Sequence, residues 1–177
     1  MKNYLKPIIV MLAIILFCGG ILAVLSDLLF VPQEERIQRA IDKIYTDTSV
    51  QLDQTIDLEK IDMTEFNDIG VIKACYKLDN GDFLVLSTGK KGYSNGTVTT
   101  YVAIGQDLIV KQVVEDSYLG QTLMSTLTNL YQKFIGKSAN DSIENVTEIV
   151  AHATSSSNAV SNSVFVALQF VSKVIGG

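Results

Sequence analysis

The residues best suited to chemistry lie together near the end of the chain, in the junction 148–160, Glu-Ile-Val-Ala-His-Ala-Thr-Ser-Ser-Ser-Asn-Ala-Val. The chain's one histidine, His152, is followed closely by four consecutive hydroxyl side chains, residues 154–157. Hydroxyls before a helix usually cap its first N–H groups, and Ser155 or Ser156 is placed to do so. A cap needs only one hydroxyl, and a helix N-terminus also attracts phosphate. The residues therefore leave two roles open: a helix cap, or a site where the threonine hydroxyl binds or carries a phosphate.

The elements on both sides must hold this junction in place. After it, apolar residues recur every three or four positions, which predicts a terminal helix packed on a sheet. Before it, the alternating stretches 71–78 and 83–88 flank Asp-Asn-Gly-Asp at 79–82, a strong hairpin turn. Residues 97–104 and 108–114 make two further strands. Because the connecting turns are short, the four strands should pair antiparallel.

The remaining segments complete an α+β fold class, in which helices pack on an antiparallel sheet. Pro32 followed by acidic residues predicts a helix that ends at about Tyr45. Residues 46–68 are polar without a firm period and predict a loop that holds at most a short helix. Apolar spacing over 123–134 predicts another helix, and residues 144–151 predict a last strand.

The N-terminal segment has the composition of a membrane span. Residues 8–25 carry no charge, and at a rise of about 1.5 Å per residue their helix approaches the ~30 Å hydrocarbon thickness of a bilayer. A cleavable signal peptide would have a shorter apolar region and a small-residue cleavage site, which residues 23–25, Ala-Val-Leu, lack. A retained anchor is therefore favoured. Lys2 and Lys6 precede the span, so its N-terminus should be cytoplasmic.

These features predict two parts: residues 1–31 as cytoplasmic tail and transmembrane anchor, and residues 32–177 as one extracytoplasmic domain at the cell membrane. The chain is acidic, with 19 acidic against 14 basic residues, which argues against a nucleic-acid partner. Cys18 falls in the span and Cys75 in the soluble part, so the two should not pair. One histidine and no cysteine at metal-ligand spacing argue against a zinc site.

The junction resembles a known sequence motif. Residues 151–156, Ala-His-Ala-Thr-Ser-Ser, are similar to the flavin-attachment motif of the FMN-binding domain family, which reads Ser-Gly-Ala-Thr, any residue, then Ser or Thr. This family includes the G component of the Rnf electron-transport complex and the C component of the Na⁺-translocating NADH:quinone reductase. Gly-Tyr-Ser-Asn-Gly at 92–96, Glu-Asp-Ser-Tyr-Leu-Gly at 115–120 and Phe-Ile-Gly-Lys at 134–137 also resemble family stretches, in the same order. The single N-terminal span matches the Rnf member of the family.

The resemblance implies that FMN is joined through its phosphate to Thr154 by a phosphoester bond. Ala153, Ser155 and Ser156 would then surround the phosphate, with the backbone N–H groups of this turn as donors. His152 replaces the family's glycine, which would permit a positive φ, although His tolerates positive φ better than most residues. A structural role for His152 and a contact to the phosphate both stay open, as does the question of whether the attachment enzyme accepts Ala151-His152.

The resemblance also assigns roles to residues outside the junction. It implies that Glu115, Leu119 and Gly120 line the flavin pocket, where this chain has Asp-Ser-Tyr in place of the family's Thr-Pro-Gly. Tyr118 is a candidate for stacking on the isoalloxazine ring, with ordinary packing as the alternative. Lys137 is a candidate phosphate contact.

The function implied by the resemblance is electron transfer within an ion-translocating ferredoxin:NAD⁺ oxidoreductase of the Rnf type. The partners would be the other membrane subunits of that complex, and a flavin transferase would attach the FMN. Two alternatives stay open: a protein similar to the C component of the quinone reductase, and an anchored assembly module without flavin. A serine hydrolase is not favoured, because the chain has no Gly-x-Ser-x-Gly motif.

Overall fold

A computed structural model describes residues 2–29, 31–46 and 49–176 of the chain. It divides into two compact units, Met1–Ile37 and Gln38–Gly177. The division falls inside the second helix, a little after the boundary between residues 31 and 32 that the sequence predicts. The α+β fold class, with an antiparallel sheet and packed helices, is confirmed.

The first helix, α1, spans Lys2–Leu29 and contains the predicted span. Its segment Pro7–Ser26 has 20 residues and a mean hydropathy of 3.1, and none of its residues is buried within the protein. Such a helix is about 30 Å long, which matches the hydrocarbon core of a bilayer. Among the residues that the structure describes, it is the one helix long and apolar enough to cross a membrane. Its orientation in a membrane stays a prediction.

The second helix, α2, spans Gln33–Ile44 and begins directly after Pro32, as predicted. Two acidic residues, Glu34 and Glu35, lie in its first turn, where their negative charges interact favourably with the positive end of the helix dipole. Just after the helix, the Tyr45 hydroxyl donates a 2.6 Å hydrogen bond to Asp82 in the first hairpin turn.

The second unit is built on a five-stranded antiparallel sheet in the order β1-β2-β3-β4-β5. The strands are β1 (Leu52–Thr55), β2 (Gly70–Leu78), β3 (Phe83–Gly89), β4 (Thr97–Ile104) and β5 (Val110–Leu119). The four predicted strands and their antiparallel pairing are confirmed. The hairpin turn between β2 and β3 is also confirmed, with Gly81 at a φ of 86° that suits glycine.

One strand was not predicted, and another, β5, begins at Val110 instead of residue 108 and ends later than predicted. Strand β1 lies in the segment predicted as loop. The sequence does not reveal it, because Leu-Asp-Gln-Thr has no apolar alternation, and all four residues are exposed. Only its pairing with β2 reveals it. Strand β5 continues past Val114 to Leu119, since this polar stretch pairs with the start of β4 across one bulge.

The terminal helix, α4, spans Thr154–Gly176 and packs across β3 and β4, as predicted. Gly89 at the end of β3 makes this close approach possible. A Cβ at Gly89 would overlap the Ala159 carbonyl oxygen and lie 2.5 Å from the Ser163 nitrogen. Buried hydroxyls join the two layers: Ser87 donates to the Ser163 carbonyl at 2.9 Å, and Ser163 shares a 2.7 Å hydrogen bond with Thr100.

The predicted helix over 123–134 is wrong. The segment forms two short 3₁₀ turns, Met124–Leu127 and Tyr131–Phe134. Its side chains Leu127, Leu130 and Phe134 are nevertheless buried. The cause is local: the hydroxyls of Thr126 and Thr128 each bond to the carbonyl three residues earlier. Threonine side chains compete in this way with a regular helix.

The predicted strand over 144–151 is also wrong. A one-turn helix, α3 (Ile143–Val146), is followed by an irregular segment. Two serines of α4 take the place of a partner strand: Ser161 accepts from the Glu148 N–H at 3.0 Å, and Ser157 accepts from the Val150 N–H at 3.1 Å. Side chains of α4 therefore hold the chain that leads into the hydroxyl cluster.

Candidate functional site

The start of α4 differs from the predicted cap. The Ser157 N–H donates to the Ala153 carbonyl at 2.9 Å, which makes Ala153 the cap position. Ser155 and Ser156, the predicted caps, therefore lie inside the first helical turn. The turn before the helix is closed by the Ala153 N–H, which donates to the Val150 carbonyl at 3.0 Å.

The four hydroxyls of the cluster fall into two pairs. Ser157 is buried and donates to the Ala153 carbonyl at 2.9 Å, and Ser156 is buried and donates to Gln121 Oε1 at 2.6 Å. Thr154 is exposed and Ser155 is half-exposed. No hydrogen bond within the described part of the chain engages the hydroxyl of Thr154 or Ser155. The deeper pair is structural, and the outer pair is free to meet a ligand.

The outer hydroxyls face a cavity of about 390 Å³, within the size range of small-molecule sites. The residues that line it are Tyr93, Thr122, Leu123, His152, Ala153, Thr154, Ser155 and Ser156. Five of these are site residues that the sequence predicts, from His152 to Ser156. One wall is polar, formed by the first turn of α4. Tyr93 and Leu123 are exposed large apolar side chains on the cavity.

The polar wall suits an anion. Ala153 has no side-chain oxygen for capping, and no hydrogen bond among the described residues involves the N–H groups of Thr154, Ser155 or Ser156. Three unpaired N–H groups at the positive end of a helix dipole favour a phosphate. The residues present therefore fit a phosphate held at the Thr154 end of the cavity.

His152 adopts the left-handed backbone conformation, with a φ of 66°. This is the conformation that a glycine at this position would favour. His152 therefore has a backbone conformation that glycine adopts readily, and it lines the cavity.

This conformation predicts how substitutions at His152 affect stability. A β-branched residue is poorly tolerated at positive φ, so His152→Val should lower the free energy of unfolding by about 1–2 kcal/mol. His152→Gly should change it by less than about 1 kcal/mol, because relief of strain offsets the entropy of the more flexible unfolded chain. Thermal unfolding of the full-length protein in detergent, followed by circular dichroism, measures both. Equal losses would show that imidazole contacts, and not φ, decide the stability.

Four site residues predicted by resemblance lie on or next to β5 and do not line this cavity. Glu115 accepts a 2.7 Å hydrogen bond from the Tyr131 hydroxyl, and burial together with this carboxylate raises the pKa of Tyr131 well above its usual value. Tyr118 and Leu119 are 50% and 72% exposed. Gly120 follows the strand with a φ of 70°.

Lys137 is not among the lining residues either. Its ammonium nitrogen lies 2.9 Å from Glu148 Oε1 and also donates to the Asn145 carbonyl. The structure therefore pairs this lysine with a carboxylate of the segment that leads into the junction. A contact between Lys137 and a phosphate stays a prediction.

The sequence reasoning missed the opposite wall of the cavity and the residue behind it. Tyr93, Thr122 and Leu123 are separated from Thr154 by long stretches of chain, so no spacing rule joins them. Gln121 was missed as well, although it lies directly after the predicted pocket residue Gly120. It is 6% exposed and bonds to Tyr93 and Ser156, which line the cavity, and to the Leu119 carbonyl.

Comparison of the sequence with protein-family models and with curated proteins finds no match, and no solved structure matches the fold.

Proposed function

We propose that this chain is a membrane-anchored flavoprotein subunit that carries electrons through an FMN attached covalently to Thr154. The observation that carries the proposal is the exposed Thr154 hydroxyl, which lies on the cavity beside three unpaired helix N–H groups. A phosphate joined to this oxygen would meet those N–H groups at once. The ordered resemblance of the sequence to the FMN-binding domain family supplies the identity of the cofactor.

The FMN ring would supply the redox chemistry, and the protein would supply binding and position. Thr154 would hold the phosphate, with Ser155 and the N–H groups of the first turn as hydrogen-bond donors. His152 lies beside the same wall of the cavity, where its protonated form would favour a dianion. Tyr93 and Leu123 offer apolar surface to a planar ring.

The chain would act within a larger assembly. We propose anchoring by α1 in the cell membrane, with the N-terminus cytoplasmic and the second unit on the extracytoplasmic side. The complex would be an ion-translocating ferredoxin:NAD⁺ oxidoreductase of the Rnf type. Its other membrane subunits would be the partners, and a flavin transferase would mature the chain. Covalent attachment suits an extracytoplasmic domain, since a dissociated cofactor would be lost there.

The proposal is tested by coexpressing the full-length chain with an active flavin transferase that modifies this family. Intact-mass spectrometry should show a gain of one FMN minus water, and a denaturing gel should show flavin fluorescence under ultraviolet light. Coexpression with an inactive transferase should abolish both signals. A known substrate domain with the Ser-Gly-Ala-Thr motif serves as the positive control for the transferase.

Unmodified mass in the presence of a transferase that modifies the control domain would overturn the proposal for this chain. The double variant Ala151→Ser/His152→Gly then separates two causes. If this variant gains FMN, the scaffold is competent and the native motif blocks attachment, which favours the flavin-free assembly module. If it also stays unmodified, the scaffold itself does not present Thr154 to the transferase.

A further inference from the structure

Gln121 connects the two walls of the cavity. Its side-chain oxygen accepts from the Tyr93 N–H at 3.1 Å and from the Ser156 hydroxyl at 2.6 Å. Its side-chain nitrogen donates to the Leu119 carbonyl at 3.1 Å and to the Tyr93 carbonyl at 3.4 Å. All four hydrogen-bonding positions of this buried amide are therefore used, and three of them bond to Tyr93 or Ser156, which line the cavity.

The loop that carries Tyr93, residues 90–96 (the Tyr93 loop), has a closely constrained backbone. Lys91, Ser94 and Asn95 all have positive φ, at 64°, 52° and 58°. Such conformations are costly for residues with a Cβ and persist only where surrounding contacts impose them. The contacts include the Gly96 N–H, which donates to the Tyr93 carbonyl at 2.9 Å.

Gln121 also fills the space beneath this loop. A Cβ at Gly92 would lie 2.5 Å from Gln121 Nε2, so the loop rests directly on the amide group. The start of the loop is fixed separately, because Asn162 of α4 donates to the Lys90 carbonyl at 2.9 Å. The Tyr93 loop is therefore tied to α4 at two points, once through Asn162 and once through Gln121 and Ser156.

We propose that Gln121 is a positioning residue that fixes the separation between the Tyr93 loop and the first turn of α4, so that Tyr93 is the wall against which the flavin ring packs. The role of Tyr93 rests on the proposed function. Tyr93 and not Tyr118 has this role, since Tyr93 lines the cavity whereas Tyr118, on β5, is not among the lining residues. The cavity is thereby formed before any cofactor is attached, and the cost of ordering the loop is not incurred on binding.

The first arm of the test uses full-length protein without cofactor. Hydrogen exchange of the Tyr93 amide should become about tenfold faster in Gln121→Ala, because its acceptor is removed. Gln169→Ala is the matched control. It also removes an amide that donates to a carbonyl, that of Ala139, at 3.0 Å, but this half-buried side chain is not among the residues that line the cavity. Equal exchange of Tyr93 in both variants would overturn the positioning role.

Ser156→Ala keeps the experiment decisive if Gln121→Ala does not fold. This variant removes one hydroxyl and cuts only the link between Gln121 and α4. It should accelerate exchange of the Tyr93 amide by a smaller factor than Gln121→Ala, since the direct bond to Gln121 remains. No change relative to wild type would show that the two walls are not coupled.

The second arm uses protein that carries FMN. Tyr93→Ala should lower the fluorescence anisotropy of the attached flavin and weaken its visible circular dichroism, because the ring loses its wall. Tyr118→Ala, an equally large truncation at an exposed tyrosine, should leave both signals unchanged. The opposite pattern would overturn the assignment of Tyr93. If wild type gains no FMN, the proposed function fails, while the exchange arm still decides the role of Gln121.

Discussion

Thr154→Ala should abolish covalent attachment of FMN completely, whereas Ser155→Ala should retain it. Both side chains line the same cavity wall and both hydroxyls are free of protein hydrogen bonds within the described chain. Only the threonine matches, by resemblance to the flavin-attachment motif, the residue that would carry the phosphoester. Because Thr154 is exposed and makes no side-chain hydrogen bond to the described residues, its truncation should change the free energy of unfolding by no more than about 0.5 kcal/mol.

Intact-mass spectrometry after coexpression with the transferase measures the expected loss, and peptide mapping locates the FMN in wild type. Thr154→Ser offers a conservative comparison, because it keeps an oxygen at the same place and should retain partial attachment. FMN found on Ser155 in wild type, or an undiminished mass gain in Thr154→Ala, would show that the attachment site is wrongly assigned.

Gly89→Ala should strongly destabilise the fold, although it adds only one methyl group. The added Cβ would overlap the backbone carbonyl of Ala159 and press on the Ser163 nitrogen. No side-chain rearrangement relieves a clash with backbone, so α4 must shift away from β3. Overpacking of a well-packed contact typically costs about 1–3 kcal/mol, and this one should cost about 3 kcal/mol or more.

Gly136→Ala is the matched control for this substitution. Its φ is 86° but nothing lies within 4 Å of the added Cβ, so only backbone strain of about 1–2 kcal/mol is expected. Chemical unfolding of the full-length protein in detergent, followed by circular dichroism, compares the two variants. A smaller loss for Gly89→Ala than for Gly136→Ala would contradict the close contact between α4 and β3.

Local patterns were sufficient to predict the parts of the fold that local chemistry determines. The turn at 79–82 and the terminal helix α4 were predicted correctly, because a hairpin turn and the helical spacing of apolar residues are both determined over a few residues. The irregular chain before α4 was mistaken for a strand, since the groups that satisfy Glu148 and Val150 are the side chains of Ser161 and Ser157. Such partners cannot be read from periodicity.

The candidate site was likewise predicted only in part. The polar wall was predicted because His152 and the hydroxyls that follow are close together in sequence. The apolar wall was not, because a sequence does not say which exposed tyrosine faces the junction. Tyr118 was the candidate for ring stacking, but the structure places Tyr93 on the cavity. We attribute the position of Tyr93 to Gln121, which bonds to the Tyr93 backbone, to the end of β5 and to α4.

The edge of the sheet that β1 forms limits how copies of the protein can associate. Strand β1 is only four residues long, is exposed throughout and carries Asp53 and Gln54. A brief edge with a charged side chain offers few backbone groups for intermolecular strand pairing. If α1 anchors many copies in one bilayer, β1 would therefore contribute little to strand pairing between them.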